Sequence, residues 1–214
     1  MGGSASPRYE ARMRTRIILA ACLPALAAPA IAQAPMGILA PAPKDDFVRV
    51  ALDTSEGRIV LALDRGRAPL TTANFLKYVD SKRLDGEAFY RAFKYAGGGI
   101  IQGGVTSDAR KLYPAVPHEP SNATGLKNTA WTIAMANSGP GTARSDFFIM
   151  TTDIPAFDAK GADIGFAAFG RVVEGQEVVR AILAAPVSPT KGEGSMKGQM
   201  LEPAVKIIKA ERVG

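Results

Sequence analysis

The sequence predicts a mainly antiparallel β domain, closed as a barrel, with two isolated helices. Three observations carry that reading. Short runs rich in β-branched and aromatic residues recur from Phe47 onward. The 22 glycines and 15 prolines of the 214-residue chain fall mostly between those runs. Only two segments have helical spacing, so helices do not alternate with strands as a doubly wound sheet requires.

Each element follows from its local pattern. "FVRVALDTSEGRIVLALD" reads as two strands turning at Ser55-Glu56-Gly57. In "PLTTANFLKYVDSKRLDG", Phe75, Leu76 and Val79 share a helical face; Thr71 or Thr72 is the expected cap and Gly86 the stop. Further strands are predicted over 88–92, 100–103, 131–136, 147–151, 167–172 and 204–210. A second helix is predicted over 174–185, with Val178, Val179, Ile182 and Leu183 as its apolar stripe and Pro186 as its end. Residues 188–200 read as a solvated loop.

The N-terminal region has a different character. "MRTRIILAACLPALAAPAIAQAPMG" begins with Arg14 and Arg16, continues through an apolar stretch and reaches the small-residue site Ala30-Ile31-Ala32. The expected organisation is an export signal over 1–32, with Met13 as an alternative start, a proline- and alanine-rich linker over 33–45, and one domain over 46–214. The apolar run is too short and too proline-rich for a membrane span. Alternatively "LAAC" ending at Cys22 is a lipoprotein signal, and membrane attachment is expected only then; the stretch between Arg16 and Cys22 is shorter than a normal apolar region. The alanine-rich signal points to a bacterial periplasm.

Composition excludes several chemistries. With 47% apolar and 21% charged residues the chain can bury a real core. Cys22 and His118 are the only residues of their types, which leaves no disulfide, no thiolate cluster and no histidine-rich metal site. The leader's Arg8, Arg12, Arg14 and Arg16, against Glu10, carry half of the formal +6 charge. The remaining basic residues are scattered without interleaved aromatics, so nucleic acid is not an expected partner.

Motifs for nucleotide and covalent chemistry also fail. "FYRAFKYAGGGIIQGGV" has a glycine cluster at Gly97-Gly98-Gly99, but no Lys-Ser/Thr follows it and Gln102 occupies the third glycine position of a dinucleotide fingerprint. There is no G-x-S-x-G elbow. Ser188 and Lys191 have S-x-x-K spacing without its companion motifs, and His118 sits between prolines in "VPHEP", as a turn histidine does. No carboxylate pair is favoured as acid and base. No cofactor is expected.

What remains is a site without proton transfer. Phe89-Tyr90-Arg91, Gln102-Gly103-Gly104 and "AMANSGPGTARSDFFI" resemble the F-H-R, Q-G-G and S-M-A-N-x-G-P-N-T-x-x-S-Q-F-F-I signature of the cyclophilin-type peptidyl-prolyl cis-trans isomerases. "APLTTANFLKYVD" and "AFGRVVEGQEVVRAI" are similar to that family's two helical regions, and the resemblance extends across 47–210. It implies an eight-stranded antiparallel barrel capped by two α-helices, with a peptide groove on the outer surface. It implies that Arg91 donates to the substrate's prolyl carbonyl and ring nitrogen and that Gln102 orients Arg91. Asn137 would then bind peptide backbone and Phe148 would line the proline pocket, with Ile100, Ala136, Ser138, Phe157 and Phe166 completing the substrate-binding set. The implied partners are proline-containing polypeptides, the implied state a monomer without metal. A barrel that binds such peptides with little turnover is the alternative.

The departures from the family pattern bear on the pocket. The Arg91–Gln102 interval is three residues longer than usual, and the aromatic and methionine before the glutamine become Gly99 and Ile100. Asp146 replaces glutamine before the Phe-Phe pair, Val105 replaces aspartate after Gln-Gly-Gly, and Phe166 stands near a frequent histidine. A frequent tryptophan falls at about Ala156, with Phe157 following. A real but slow isomerase is expected.

Overall fold

A computed structural model describes residues 46–214. The expected export signal, Cys22 and the 33–45 linker lie outside the described residues. Strands β1 (Phe47–Thr54) and β2 (Gly57–Asp64) form the predicted hairpin, with Thr54 paired to Gly57 across the turn. Helix α1 (Pro69–Asp80) follows, then β3 (Ala88–Tyr95), β4 (Gly98–Gly104) and the single-turn helix α2 (Ser121–Thr124). The chain continues through β5 (Thr132–Met135), β6 (Phe147–Met150), β7 (Ala168–Glu174), α3 (Gln176–Ala184), β8 (Val187–Ser188) and β9 (Met200–Val213).

The sheet runs β1-β2-β7-β5-β6-β4-β3-β9, and β9 pairs back to β1. Every pairing is antiparallel, so eight strands close a barrel, and β8 adds a short ninth strand on β9. Closure removes the exposed edges that an open sheet of this composition would present. The predicted apolar stripes seal it. Phe75, Leu76 and Val79 of α1, and Val178, Val179, Ile182 and Leu183 of α3, join the barrel interior in one core. Phe75 meets Phe147 edge-on, with ring centroids 5.2 Å apart.

Two faces of the same strands serve two different cores. Ile101, Ile133, Phe147 and Ile149 point into the barrel, whereas Ile100, Ala134, Phe148 and Met150 belong to a second apolar cluster with Ile154. Period-two alternation sends these neighbours to opposite faces. Phe157 and Phe166 pack over this outer face.

Three expectations are corrected. Helix α1 ends at Asp80, with Ser81 as its C-cap, before the chain reaches Gly86. Thr71 and Thr72 do not cap α1: its N-cap is Ala68, which has no side-chain cap bond, and both threonines are buried inside the helix. The cap arrives from a residue 48 positions after Thr71. The Glu119 carboxylate accepts from the Leu70 and Thr71 amides at 3.2 and 2.7 Å and from the Thr71 hydroxyl at 2.6 Å. Nor is 188–200 simply a solvated loop. Ser188 pairs with Met200, Met200 pairs with Arg91, and the Gln199 carbonyl accepts from the Ala92 amide at 2.9 Å.

Candidate active site

Arg91, Gln102, Phe148 and Ala134 form one row across four strands. Arg91 is the register partner of Gln102, Gln102 of Phe148, and Phe148 of Ala134. The row exists because β3 slips register between Phe89 and Arg91. This bulge leaves Phe89 in the core and turns both Tyr90 and Arg91 outward, where plain alternation would send one of them inside.

The Arg91 guanidinium is held by two neutral amides. Nη1 donates to Gln102 Oε1 at 2.8 Å; Nε and Nη2 donate to Gln199 Oε1 at 2.9 and 2.7 Å. Gln199 is itself anchored, its Nε2 donating to the Ser195 carbonyl at 2.7 Å. Of the five N–H donors of a guanidinium, one on each terminal nitrogen is left for a ligand. Among the described residues no carboxylate pairs with Arg91. The amides therefore fix direction without cancelling charge. Burial draws the pKa of Arg91 below its ordinary value, opposed by Tyr90, and the group stays cationic at any physiological pH.

Beside that charge lies an apolar recess of about 220 Å³. Arg91, Gln102, Ile100 and Phe148 line it together with Ala136, Asn137, Phe157 and Phe166. Phe148, Phe157 and Phe166 meet edge to face in all three pairings, at 5.5, 5.2 and 4.7 Å. Asn128 holds two of these walls: its Nδ2 donates to the Phe157 carbonyl at 2.9 Å and the Phe166 carbonyl at 3.3 Å. The Asn137 side chain is occupied locally, donating to the Gly165 carbonyl and accepting from the Gly139 amide. Its backbone N–H and C=O, which have no partner among the described residues, are what it can offer a peptide. Ser138 stands apart from this recess. It lines a neighbouring cavity of about 280 Å³ that shares Gln102, Ala136 and Asn137.

Four further residues at or beside the site have no role in the sequence reading. Phe93 lines the recess and places its ring centroid 5.8 Å from the Arg91 guanidinium carbon. Two residues after Arg91 on one strand, it shares that outward face, a period-two signal that was available. It supplies an aromatic from β3 where Gly99 leaves none on β4. Gly99 has φ +152°, and its Cβ would lie 3.0 Å from the Lys94 Cα, so the closely paired hairpin excludes a side chain there. Met196 and Gln199 come from the segment read as solvent, and Tyr90 bonds both Gln102 and Asp146.

Comparisons with known proteins point one way. The family described as "Cyclophilin type peptidyl-prolyl cis-trans isomerase/CLD" matches residues 47–212. A Streptomyces antibioticus protein named peptidyl-prolyl cis-trans isomerase is 38% identical over 148 residues, spanning 67% of this chain and 87% of that one. Peptidyl-prolyl cis-trans isomerase A of Dickeya dadantii is 41% identical over 137 residues, spanning 62% and 70%. A Cryptosporidium parvum cyclophilin-type crystal structure superposes with TM-score 0.64 at 22% identity, covering 79% of this chain and 99% of its own. That likeness speaks for the fold.

Proposed function

Because the chain belongs to the cyclophilin-type peptidyl-prolyl cis-trans isomerases and is an enzyme of that class, we propose that Arg91 drives the rotation by binding the twisted X-Pro bond more tightly than either planar form. Rotation breaks amide resonance against a barrier of about 18–20 kcal/mol, and the uncatalysed reaction takes tens of seconds or longer. As the bond twists, its nitrogen regains a lone pair and becomes a hydrogen-bond acceptor. Only an interaction that strengthens along this path raises kcat. The two free N–H groups of Arg91 are donors of that kind. At about 1.5–3 kcal/mol for each charge-assisted bond they supply about 3–6 kcal/mol, or roughly 10²–10⁴ in rate.

The recess has a different task. Burying a prolyl ring at about 0.8 kcal/mol per methylene binds planar and twisted forms alike, which lowers KM and leaves kcat alone. No proton is transferred and no covalent bond forms, so the reaction needs no nucleophile or base. The observation that carries this reading is the cation held by Gln102 and Gln199, with no carboxylate partner among the described residues, beside an apolar recess. An isomerisation assay on a proline peptide tests it. Arg91→Ala should lose most turnover with its circular dichroism unchanged. An Arg91→Ala protein as fast as the wild type refutes the role given to Arg91.

The cellular reading is that the protein assists folding of exported polypeptides in a bacterial periplasm. The leader pattern over 1–32 supports it. N-terminal sequencing of the cell-envelope fraction should give Gln33; an intact Met13 in the cytosol contradicts export.

A further inference from the structure

We propose that Asp146 and Tyr90 are positioning residues for the isomerisation, setting which end of the Gln102 amide meets Arg91. This rests on the reading that Arg91 carries the rotation. An amide side chain has nearly the same shape in its two flipped orientations, so only its partners choose between them. Here the choice matters. With Oε1 toward Arg91, the amide accepts from Nη1; flipped, it sets its NH2 against the guanidinium donors and the hold is lost.

Arg91, a group that only donates, favours the first orientation from one side; a carboxylate two hydrogen bonds away enforces it from the other. Gln102 Nε2 donates to the Tyr90 hydroxyl at 2.7 Å, and that hydroxyl donates to Asp146 Oδ2 at 3.0 Å. A hydroxyl has one hydrogen and an ionised carboxylate accepts only. Once Asp146 takes the Tyr90 hydrogen, the tyrosine oxygen can only accept, which requires the NH2 of Gln102 on that side. Asp146 thereby sets the direction of each bond as far as Arg91.

The local backbone is built for this contact. The β3 bulge at Tyr90 lets two consecutive residues, Tyr90 and Arg91, both reach Gln102. Gly104, with φ +157°, lies so close that a Cβ there would be 2.8 Å from the Asp146 Cα. Asp146 lines the neighbouring cavity rather than the Arg91 recess, so it acts through Tyr90 and Gln102. The titratable groups around that cavity are Tyr90 from β3 and Arg144 from the segment leading into β6, and Arg144 makes no salt bridge to Asp146. Burial raises the Asp146 pKa, opposed by hydrogen bonds from Tyr90 and Ser145. Burial also pushes the Tyr90 phenol well above its ordinary value, so it keeps its proton. Protonated Asp146 can donate to Tyr90 and free the phenol hydrogen to turn toward Gln102, which permits the flip.

The test separates kcat from KM in the isomerisation assay as pH is lowered from neutral into the acid range. The wild-type kcat should fall at the acid end through one ionisation while KM holds. Asp146→Asn should flatten that limb, and Tyr90→Phe should lower kcat about tenfold with KM little changed, the scale of a loosened catalytic group. In an Arg91→Ala background Tyr90→Phe should add nothing. An acid limb that persists in Asp146→Asn, or a Tyr90→Phe loss of equal size with and without Arg91, overturns the proposal. If Arg91→Ala is inactive while Tyr90→Phe and Asp146→Asn match the wild type, the positioning role falls and the isomerase mechanism stands. Full activity in Arg91→Ala removes both. The wild-type pH profile needs no variant to fold.

Discussion

The side-chain oxygen of Gln199 accepts two of the Arg91 guanidinium's hydrogen bonds, although 108 residues separate them in sequence. With Gln102 on the other side, it fixes the plane of the fork. Gln199→Ala should therefore cut kcat, by about tenfold if a single charge-assisted bond's worth of orientation is lost. KM should change less than twofold on the same scale, since Gln199 does not line the recess. Steady-state kinetics on one proline peptide decides it; a rise in KM alone would make Gln199 a binding residue instead.

Phe93→Ala should show the converse. Its ring forms a wall of the recess and faces the cation, so its loss removes contact that ground and transition states share. KM should rise several-fold with kcat within about a factor of two. A kcat loss as large as that of Gln199→Ala would mean that the Phe93 ring also holds the guanidinium in place.

Asn128→Leu tests how the apolar walls are held. Asn128 is buried, and its Nδ2 is shared among the Phe157 carbonyl, the Phe166 carbonyl and the Asp158 carboxylate. Leaving those acceptors unpaired costs about 1–3 kcal/mol, each kcal/mol lowering Tm by about 2–4 °C in a domain of this size. Thermal unfolding gives the stability, and a raised KM in the surviving folded protein reports the loosened walls. Wild-type values of both would show the aromatic trio holding itself.

Glu87 gives a pH signature in stability. It is buried just before β3 and accepts from the Thr106 and Ser107 amides, the Ser107 hydroxyl and Lys111 Nζ at 2.8 Å. Burial favours its neutral form, but Lys111 and the Ser107 and Thr106 donors outweigh it and hold its pKa below the ordinary value. Such a group contributes stability fully above its unfolded-state pKa, about 4.3, and loses it as pH falls through the lower folded value. Glu87→Gln should cost about 2 kcal/mol at neutral pH, less than a fully buried pair because Lys111 is partly exposed. The gap from wild type should narrow on acidification, as urea titrations at two pH values would show. A constant gap would assign the loss to packing.

Much of this was legible in the sequence. The barrel strands and both longer helices followed from alternation and helical stripes, because Phe75, Val79, Val178 and Ile182 record locally which face is buried. Arg91, Gln102, Asn137 and Phe148 sat in ordered motifs. What escaped depends on contacts between distant segments. Glu119 caps α1 in place of Thr71 or Thr72, and nothing near Pro69 announces it. Gln199 and Met196 belong to a glycine-rich stretch whose composition reads as solvent-facing, yet pairing of Met200 with Arg91 brings it to the site. The bulge at Tyr90 is a register shift, visible only once β3 has partners on both sides.

The most direct measurement compares wild type with Arg91→Lys, following cis–trans exchange of a bound proline peptide by NMR alongside its Kd. Lysine keeps the charge but cannot present the rigid fork that Gln102 and Gln199 aim. The expected result is on-enzyme exchange slowed by about 10²-fold or more, with Kd changed by less than about threefold. Exchange at the wild-type rate would contradict the claim that the oriented guanidinium drives the rotation.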